Sequence, residues 1–536
     1  MMAVRIRDVS VRRRALRALA TFASLVVLVA LAAGCSSKTT ATTAAGGTGT
    51  TGAAAIKTGG TLRIGSQPGN LDFDPAFFAG NIADIALQHQ ALEPLIQLAP
   101  DFTLQPVLAT KWETTDSKVW KITLRDGVKF SNGSAFTADD VIFTMKRLMD
   151  PKSSVATDLN IESMTADDPT HVTFTLKAPD DLFPAALADY HVLMLSKDVK
   201  DPKTELLGTG PFVLESSAAE SGAVFKKNPN YWGKDDKGQQ LPYLDGLQFV
   251  YTPDLAGQIE GLQGGSLDWV GGLTSELKQT VAANQSLKII STPTNYCFEL
   301  QIRTDQEPGS KLAFRQAIMA GTDRKSIVAL VAPGLADPGN GTLVGPGYKD
   351  YYTSDQVAYD PAAAKKLLAD AGYANGVKIR LVVQTSDVIP AIATAWQAQM
   401  KAIGITVDIA QVPPDVFYAD KGQDTWYQAP FSIVDYGTRP VPLFYFRKAL
   451  VSDGVWNYSR WKNPEFDALV KQIGTETDPT KVADLYKQAQ KLLQDQVPMM
   501  NFLVNEAVAG ESAKLDGIAL APDWSQTLFR NAYFKQ

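Results

Sequence analysis

Cysteine and histidine are scarce in this chain, and their scarcity excludes several kinds of site. The 536 residues include two cysteines, Cys35 and Cys297, and no CxxC pair. A disulfide framework and a zinc site with cysteine ligands are therefore not predicted. The three histidines, His89, His171 and His191, lie far apart in the sequence, and we expect them to have structural roles. We predict neither a cofactor nor a bound metal.

Motifs of the common enzyme classes are missing as well. The sequence contains no HExxH, GxSxG, Walker A, GxGxxG or EF-hand pattern. The segments SELK (275–278) and KTG (57–59) match short motifs of penicillin-binding proteins, but their order is reversed and no SDN separates them. An enzyme that uses scattered carboxylates stays open, because acid and base pairs leave little trace in a sequence. Since nothing points to such an enzyme, we expect a protein without catalytic activity.

Positive charge is in deficit once the amino-terminal segment is set aside. Residues 1–34 hold six arginines and one acidic residue, and the remaining chain has 45 basic and 56 acidic side chains. Its formal net charge is −11, against −6 for the full sequence. Because nucleic-acid binding depends on cationic side chains that neutralise phosphates, this balance argues against a nucleic-acid partner.

The amino-terminal segment has the layout of an export signal. Its arginines precede the apolar run TFASLVVLVALAAG (21–34), which is too short to span a membrane comfortably. The following LAAGCSS resembles a bacterial lipobox, which implies that Cys35 carries a lipid and begins the mature protein. Residues 35–58 are rich in Ser, Thr, Ala and Gly and are expected to form a flexible tether. We expect a protein held at the outer face of the cytoplasmic membrane, exported by the Sec or the twin-arginine route.

The body from about residue 59 is predicted to be mixed α/β. Alternating apolar residues predict strands in VWKITLRDG (119–127), HVTFTLKAP (171–179) and VKIRLVVQT (377–385). The last of these is followed by a helical segment, AIATAWQAQMKAI (391–403), and a further strand, GITVDIAQV (404–412), which together predict a βαβ unit.

Two helices have predicted ends. In DPAAAKKLLADAGY, Asp360 is expected at the N-cap, Pro361 at the first helical position and Gly372 at the carboxyl end. In TADDVIFTMKRLMDP, residues Thr137 to Asp140 form a capping-box pattern, and the helix should stop before Pro151.

One stretch combines opposite charges with turn-forming residues. In FSIVDYGTRP (431–440), Asp435 and Arg439 are four positions apart, and the stretch has little helical or strand regularity. We predict a loop here. The two side chains could form a surface salt bridge of about 0 to 1 kcal/mol, or they could belong to a binding site.

Several spaced blocks resemble one protein family. The longest is LATKWETTDSKVWKITLRDGVKFSNGSAFTADDV (108–141), and the others occur in the expected order: GGTLRIG (59–65), GTGPFVL (208–214), KKNPNYWG (226–233), FRQAIMAGTDRKSI (314–327) and KKLLADAGY (365–373). Together they resemble the family 5 extracellular solute-binding proteins of ABC importers, which include oligopeptide- and dipeptide-binding lipoproteins. The resemblance extends from about residue 59 to the carboxyl terminus.

The resemblance implies a two-lobed periplasmic-binding-protein-like fold of type II, cluster C, with an inserted domain. Ligand would bind between domains I and III, and a hinge would close over it. The implied boundaries are 59–95, 208–302 and 503–536 for the discontinuous domain I, 96–207 for domain II, and 303–502 for domain III.

The resemblance also nominates ligand-binding residues. Asp435 matches the acid of a W-x-x-D-Y-x-x-P block that holds a peptide's α-ammonium group in many relatives, although position 432 is Ser rather than Trp. Arg439 is then a candidate for the ligand carboxylate. Charge-assisted hydrogen bonds contribute about 1.5 to 3 kcal/mol each, whereas micromolar binding needs about 8 kcal/mol. Additional contacts are therefore expected from Tyr436, Trp456, Tyr458, Trp426, Phe77 and Asn81.

The implied function is capture of short peptides and their delivery to the permease and ATPase subunits of an importer, by a lipid-anchored monomer. The same fold could instead bind a nickel chelate, an oligosaccharide or an opine. A cell-surface hydrolase is the alternative from another functional class.

Overall fold

The computed structural model describes residues 56–535, apart from 78–80, 154, 157–158, 349, 354, 386–387, 420 and 477. The predicted signal peptide, Cys35 and nearly all of the predicted tether lie outside the described residues. None of the helices in the described part of the chain is long and apolar enough to cross a membrane.

Strands and helices are distributed along the whole body. The strands are β1 (Thr61–Ser66), β2 (Ile96–Leu98), β3 (Leu104–Pro106), β4 (Ala109–Thr114), β5 (Val119–Leu124), β6 (Ile161–Asp168), β7 (His171–Leu176), β8 (Phe212–Ala218), β9 (Gly222–Lys227), β10 (Gly246–Tyr251), β11 (Trp269–Gly271), β12 (Leu287–Ile302), β13 (Ala336–Pro338), β14 (Val377–Gln384), β15 (Ile405–Val412), β16 (Phe431–Tyr436), β17 (Met499–Ser512), β18 (Leu515–Asp516) and β19 (Tyr533–Phe534). The helices are α1 (Ile82–Ala91), α2 (Ala138–Leu148), α3 (Phe183–Ala186), α4 (Leu255–Gln263), α5 (Ser275–Ala282), α6 (Leu312–Gly321), α7 (Arg324–Val331), α8 (Pro361–Asp370), α9 (Ile389–Ile403), α10 (Pro414–Phe417), α11 (Pro442–Tyr445), α12 (Pro464–Ile473) and α13 (Pro479–Gln496), with a π-helical turn at Phe446–Leu450 and a 3₁₀ turn at Trp524–Gln526.

One large sheet organises the body. Among the described residues it has eleven strands in the order β15-β14-β16-β12-β17-β11-β1-β10-β9-β8, with β13 paired to β17. Strand β14 runs parallel to both β15 and β16, and β1 runs parallel to both β10 and β11. The mixed α/β class predicted from the sequence is confirmed.

The two long central strands, β12 and β17, connect the two ends of this sheet. One half of β12, Leu287–Pro293, pairs with the carboxyl-terminal half of β17, which continues to β11. The other half, Cys297–Ile302, pairs with the beginning of β17 and with β16. Between Pro293 and Cys297 the β12–β17 register shifts, and we call this interruption the β12–β17 break.

A second sheet, β4-β5-β7-β6, lies within residues 96–207 and packs against α2. The capping box predicted for α2 is confirmed, with Asp140 accepting a hydrogen bond of 2.9 Å from the Thr137 backbone N–H. The same helix buries Val141, Met145 and Leu148. Full burial of such side chains stabilises the fold by about 1.5 to 3 kcal/mol each, so the amphipathic pattern fixes α2 on this sheet.

The predicted βαβ unit is confirmed as β14-α9-β15. The two strands pair in parallel along their whole length, and α9 buries Ile392, Trp396 and Met400. Gly404 ends α9 with φ at +102°, a backbone conformation that glycine adopts without steric cost. The predicted cap Asp360 also accepts hydrogen bonds from backbone N–H groups at the start of α8.

The prediction of a loop at 431–440 is wrong for its first six residues, which form β16 between β14 and β12. Phe431 and Ile433 pack into the core covered by α6 and α9, whereas Val434 and Tyr436 pack into the core on the opposite face. A strand covered on both faces has no polar and apolar alternation to reveal it in the sequence. Asp435 therefore lies near the carboxyl end of a central strand.

Candidate functional site

The carboxylate of Asp435 is held by three neutral hydrogen-bond donors. Its Oδ2 atom accepts a bond of 2.9 Å from the Tyr296 hydroxyl. Its Oδ1 atom accepts bonds of 3.1 Å from Gln384 Nε2 and 3.0 Å from the Tyr418 hydroxyl. The donors come from β12, from the end of β14 and from the residue after α10. These three segments hold a half-buried carboxylate in a fixed orientation.

No side chain supplies a counter-charge to this group within the described part of the chain. No lysine, arginine or histidine nitrogen there lies within 4.0 Å of the Asp435 carboxylate oxygens. Hydroxyl and amide groups donate hydrogen bonds but carry no net charge, so they do not neutralise the carboxylate. A half-buried anion of this kind is well suited to bind a cation from outside the chain, because the pairing repays part of the cost of its desolvation.

The structure pairs Arg439 with Asp189 rather than with its sequence neighbour Asp435. The Arg439 Nη1 atom is 3.6 Å from Asp189 Oδ2, and its guanidinium group lies 5.2 Å from the centroid of the Phe444 ring. Asp189 also accepts a hydrogen bond of 2.7 Å from His191 Nδ1. Arg439 lines two cavities of about 210 Å³ each, so its side chain lies where segments from both ends of the chain meet.

Two of the nominated aromatic residues, Trp426 and Tyr458, contact each other. Tyr418 packs its ring edge against Trp426 at 5.6 Å between centroids, so the pair is connected to Asp435 through the Tyr418 hydroxyl. Tyr418 is 44% exposed, whereas Tyr458 is 5% exposed. Of these three rings, that of Tyr418, which the sequence did not nominate, is the most exposed.

Trp456 and Tyr436 lie in different surroundings. Trp456 packs against Phe444 at 5.6 Å and so shares that ring with Arg439. Tyr436 is buried, and its hydroxyl accepts a hydrogen bond of 3.1 Å from Gln301 Nε2. Burial, with a further contribution from the nearby Glu299, raises the pKa of Tyr436 well above its ordinary value. Its hydroxyl is therefore a neutral part of the core.

Phe77 lies in a turn that precedes α1 in the chain, and Asn81 is the N-cap of that helix. The Arg147 guanidinium group is 5.5 Å from the centroid of the half-exposed Phe77 ring, and Arg147 also forms a salt bridge of 2.5 Å with Asp74. The Asn81 side chain accepts a hydrogen bond of 2.8 Å from the Ala83 backbone N–H. This bond caps α1, so the amide oxygen of Asn81 has a structural role.

Tyr296, Gln384 and Tyr418 were missed by the sequence analysis. Gln384 had a usable signal, because it ends a strand parallel to β16, and ligands gather at the carboxyl ends of parallel strands. Tyr296 and Tyr418 lie 139 and 17 positions from Asp435 and belong to no motif. Their role follows only from the way the chain folds.

Comparisons with known proteins identify the family. Residues 103–483, more than half of the chain, match the family model described as bacterial extracellular solute-binding proteins, family 5 Middle. The chain is 25% identical over 506 residues to the dipeptide-binding protein DppE of Bacillus subtilis, which covers 87% of this chain and 91% of the relative. It is 26% identical over 488 residues to the oligopeptide-binding protein OppA of the same organism, with coverage of 83% and 88%.

A solved structure shows the same fold. The ABC transporter substrate-binding protein CtaP of Listeria monocytogenes superposes with a TM-score of 0.76 at 22% identity, over 90% of this chain and 100% of that one. The two-lobed fold class expected from the sequence is thereby confirmed. The chain belongs to family 5 of the bacterial extracellular solute-binding proteins.

Proposed function

We propose that this protein is the extracytoplasmic binding component of an ABC importer and that it captures short peptides without converting them. Membership of the family and the similarity to a dipeptide-binding and an oligopeptide-binding protein support a peptide ligand. The observation that carries the proposal is the Asp435 carboxylate, which has three neutral donors and no cationic partner within the described part of the chain.

In this proposal Asp435 receives the α-ammonium group of the peptide. Its donors fix the position of both carboxylate oxygens, so little conformational entropy is lost when an ammonium group binds. A charge-assisted hydrogen bond of this kind contributes about 1.5 to 3 kcal/mol. The exposed ring of Tyr418 lies beside it and offers apolar surface to the first residue of the peptide.

Arg439 is proposed to receive the carboxylate end. Its guanidinium group lies 5.2 Å from the centroid of the Phe444 ring and lines two cavities. A ligand carboxylate in either cavity would form the two-pronged contact that a guanidinium group favours. Trp426, Tyr458 and Trp456 would support the walls beside the two ends. Tyr436, Phe77 and Asn81 each have a structural contact of their own, and their contact with the ligand stays a proposal.

Closure of the lobes would involve the β12–β17 break. Two strands cross between the ends of the sheet there, and the register shift between them lies between Pro293 and Cys297. Tyr296 lies within this break and contacts Asp435 directly. Ligand bound at Asp435 would thus bias the conformation of the crossing strands. The domain boundaries 59–95, 208–302 and 503–536, 96–207, and 303–502 belong to the same proposal.

The proposed anchor is a lipid on Cys35, followed by the tether 35–58, which keeps a monomeric body close to the permease and ATPase subunits.

A nickel chelate, an oligosaccharide or an opine would be the ligand if Asp435 did not bind a ligand ammonium group. A cell-surface hydrolase would require turnover of the bound molecule.

Native mass spectrometry of the untagged protein, with the ligand it carries from its host, tests the proposal directly. We expect a bound mass that fragments into peptide sequences, and a rise in melting temperature with an unblocked peptide library that is recovered intact. A bound metal complex, oligosaccharide or opine would contradict the peptide assignment. Steady cleavage of the library would contradict a binding role.

A further inference from the structure

The turn between β2 and β3 holds an aromatic residue in a conformation that favours glycine. Phe102 has φ at +65°, in the left-handed region that is sterically costly for a residue with a side chain. Hydrogen bonds of 2.9 Å close the turn, from the Phe102 N–H to the Ala99 carbonyl oxygen and from the Ala99 N–H to the Thr103 carbonyl oxygen. Glycine and asparagine are the usual residues at such positions. A phenylalanine in this conformation indicates that its ring, rather than its backbone, has a role.

The ring of Phe102 is buried in a core to which its own strands do not belong. Strand β2 contributes Ile96 to the core of the second sheet, whereas Phe102 belongs to the cluster that contains Tyr348 and Phe446. Phe102 is 8% exposed, and its ring centroid is 5.1 Å from that of Tyr348. A Cβ atom added at Gly347 would lie 2.6 Å from the Phe102 ring, so the glycine leaves the space that the ring occupies. The β2–β3 turn therefore joins two hydrophobic cores.

Tyr348 connects this contact to Arg439. The Tyr348 hydroxyl donates a hydrogen bond of 2.6 Å to the Arg439 carbonyl oxygen. Tyr348 is 2% exposed, and burial raises the pKa of its hydroxyl well above the ordinary value, so the proton of this bond is retained. Arg439 lies in the segment 437–441, which connects β16 to α11. A ring that fixes Tyr348 therefore also fixes the backbone from which the Arg439 guanidinium group extends.

We propose that Phe102 is a positioning residue, whose ring holds Tyr348 and through it the backbone of Arg439, so that the guanidinium group meets the carboxylate end of a peptide. This inference rests on the role proposed above for Arg439. Phe102 also lines one of the cavities that Arg439 lines. A direct contact between the ring and the ligand is therefore the alternative that an experiment has to separate from positioning.

C-terminal amidation of the ligand separates the two roles. A library of unblocked di- to pentapeptides, and the same library with C-terminal amides, are compared by native mass spectrometry on the full chain. We expect amidation to lower binding to the parent at least about tenfold. In Phe102→Gly, which suits the turn and removes the ring, amidation should lower binding less than about threefold, because Arg439 is no longer held in place. Phe102→Leu, which keeps apolar volume beside Tyr348, should restore most of the discrimination.

Tyr348→Phe tests the second step, because it removes the hydroxyl that bonds to the Arg439 carbonyl oxygen. It should reduce the effect of amidation as Phe102→Gly does, whereas the control Tyr352→Phe in the same segment should keep the tenfold effect. Weaker binding of both libraries in Phe102→Gly, with the effect of amidation unchanged, would make Phe102 a direct ligand contact and overturn the inference alone. Equal binding of both libraries to the parent would contradict the proposed role of Arg439, and the inference with it.

Amide hydrogen exchange of the ligand-free chain examines the contact without any peptide. The Tyr348 N–H donates to the Gly345 carbonyl oxygen at 3.2 Å, and it should exchange at least about threefold faster in Phe102→Gly than in the parent. The Ile392 N–H in α9, which donates to the Val388 carbonyl oxygen at 2.9 Å, should exchange at the same rate in both. An unchanged rate at Tyr348 would overturn the inference even if no peptide bound to the protein.

Discussion

The hydroxyl of Tyr296 donates a 2.9 Å hydrogen bond to Asp435 Oδ2 and so joins the β12–β17 break to the proposed ligand-binding acid. Tyr296 lies three positions after Pro293, where the pairing with β17 is interrupted. Asp435 lies on the neighbouring strand, paired with Phe298. A change at either residue therefore affects the other through a single hydrogen bond.

Removal of this hydroxyl should weaken peptide binding and leave the fold intact. In Tyr296→Phe the carboxylate of Asp435 loses one of its three donors, and a single hydrogen bond has a net value of about 0.5 to 1.5 kcal/mol. We expect the peptide dissociation constant to rise about three- to tenfold by isothermal titration calorimetry.

Tyr373→Phe is the matched control for this variant, because the Tyr373 hydroxyl also donates to a carboxylate, that of Glu307, at 3.1 Å. It should leave peptide affinity unchanged. Equal effects of the two substitutions would show that Tyr296 has no special connection to the ligand.

Glu299 should make stability depend on pH. Its side chain is 2% exposed. Its Oε1 atom accepts a hydrogen bond from Gln301 Nε2, whereas its Oε2 atom has no hydrogen-bond partner among the described residues. Burial raises the pKa of Glu299 from 4.5 to about 8. The folded state thus retains a proton that the unfolded chain releases, and stability falls as pH rises from about 4.5 to about 8 and then levels off.

In Glu299→Gln this fall in stability with rising pH should disappear, because the side chain stays neutral. The decrease in melting temperature between about pH 5 and about pH 9 should be smaller in the variant than in the parent. Glu113→Gln, at an exposed position, should keep the full decrease. The same decrease in all three proteins would mean that Glu299 does not carry this dependence.

Gly404 and Gly257 should respond in opposite ways to the same substitution. Gly404 has φ at +102°, and an added Cβ meets no atom closer than 3.5 Å, so Gly404→Ala adds backbone strain of about 1 to 2 kcal/mol without a clash. Gly257 lies in α4 with an ordinary helical backbone, and an added Cβ would meet only the Asp254 Oδ1 atom, at 3.4 Å, so Gly257→Ala should stabilise by about 0.4 to 1 kcal/mol. Thermal unfolding should show a lower melting temperature for the first variant and a higher one for the second. A lower value for both would contradict the assignment of strain to Gly404.

Elements with local signals could be predicted from the sequence. The capping box at Thr137 and Asp140 and the parallel β14-α9-β15 unit depend on residues close together in the chain, and the structure contains both. Strand β16 could not be predicted, because helices cover both of its faces and remove the alternation of polar and apolar residues.

The candidate site was predictable only in part. Asp435 was nominated through a family motif, and that motif says nothing about the donors of its carboxylate. Tyr296 and Tyr418 approach Asp435 from distant parts of the chain, and no periodicity or spacing encodes such a contact. Arg439 follows Asp435 by four positions in the sequence, yet the segment after β16 places its guanidinium group beside Asp189.

The most direct test measures how a peptide's free amino group and the acid at 435 depend on each other. Binding of a library of unblocked di- to pentapeptides, and of the same library after N-acetylation, is compared by native mass spectrometry for the parent, Asp435→Asn and the exposed control Asp408→Asn. We predict that acetylation lowers binding at least about tenfold in the parent and in the control, and less than about threefold in Asp435→Asn. An equal loss on acetylation in all three proteins would contradict the pairing of Asp435 with the ligand ammonium group.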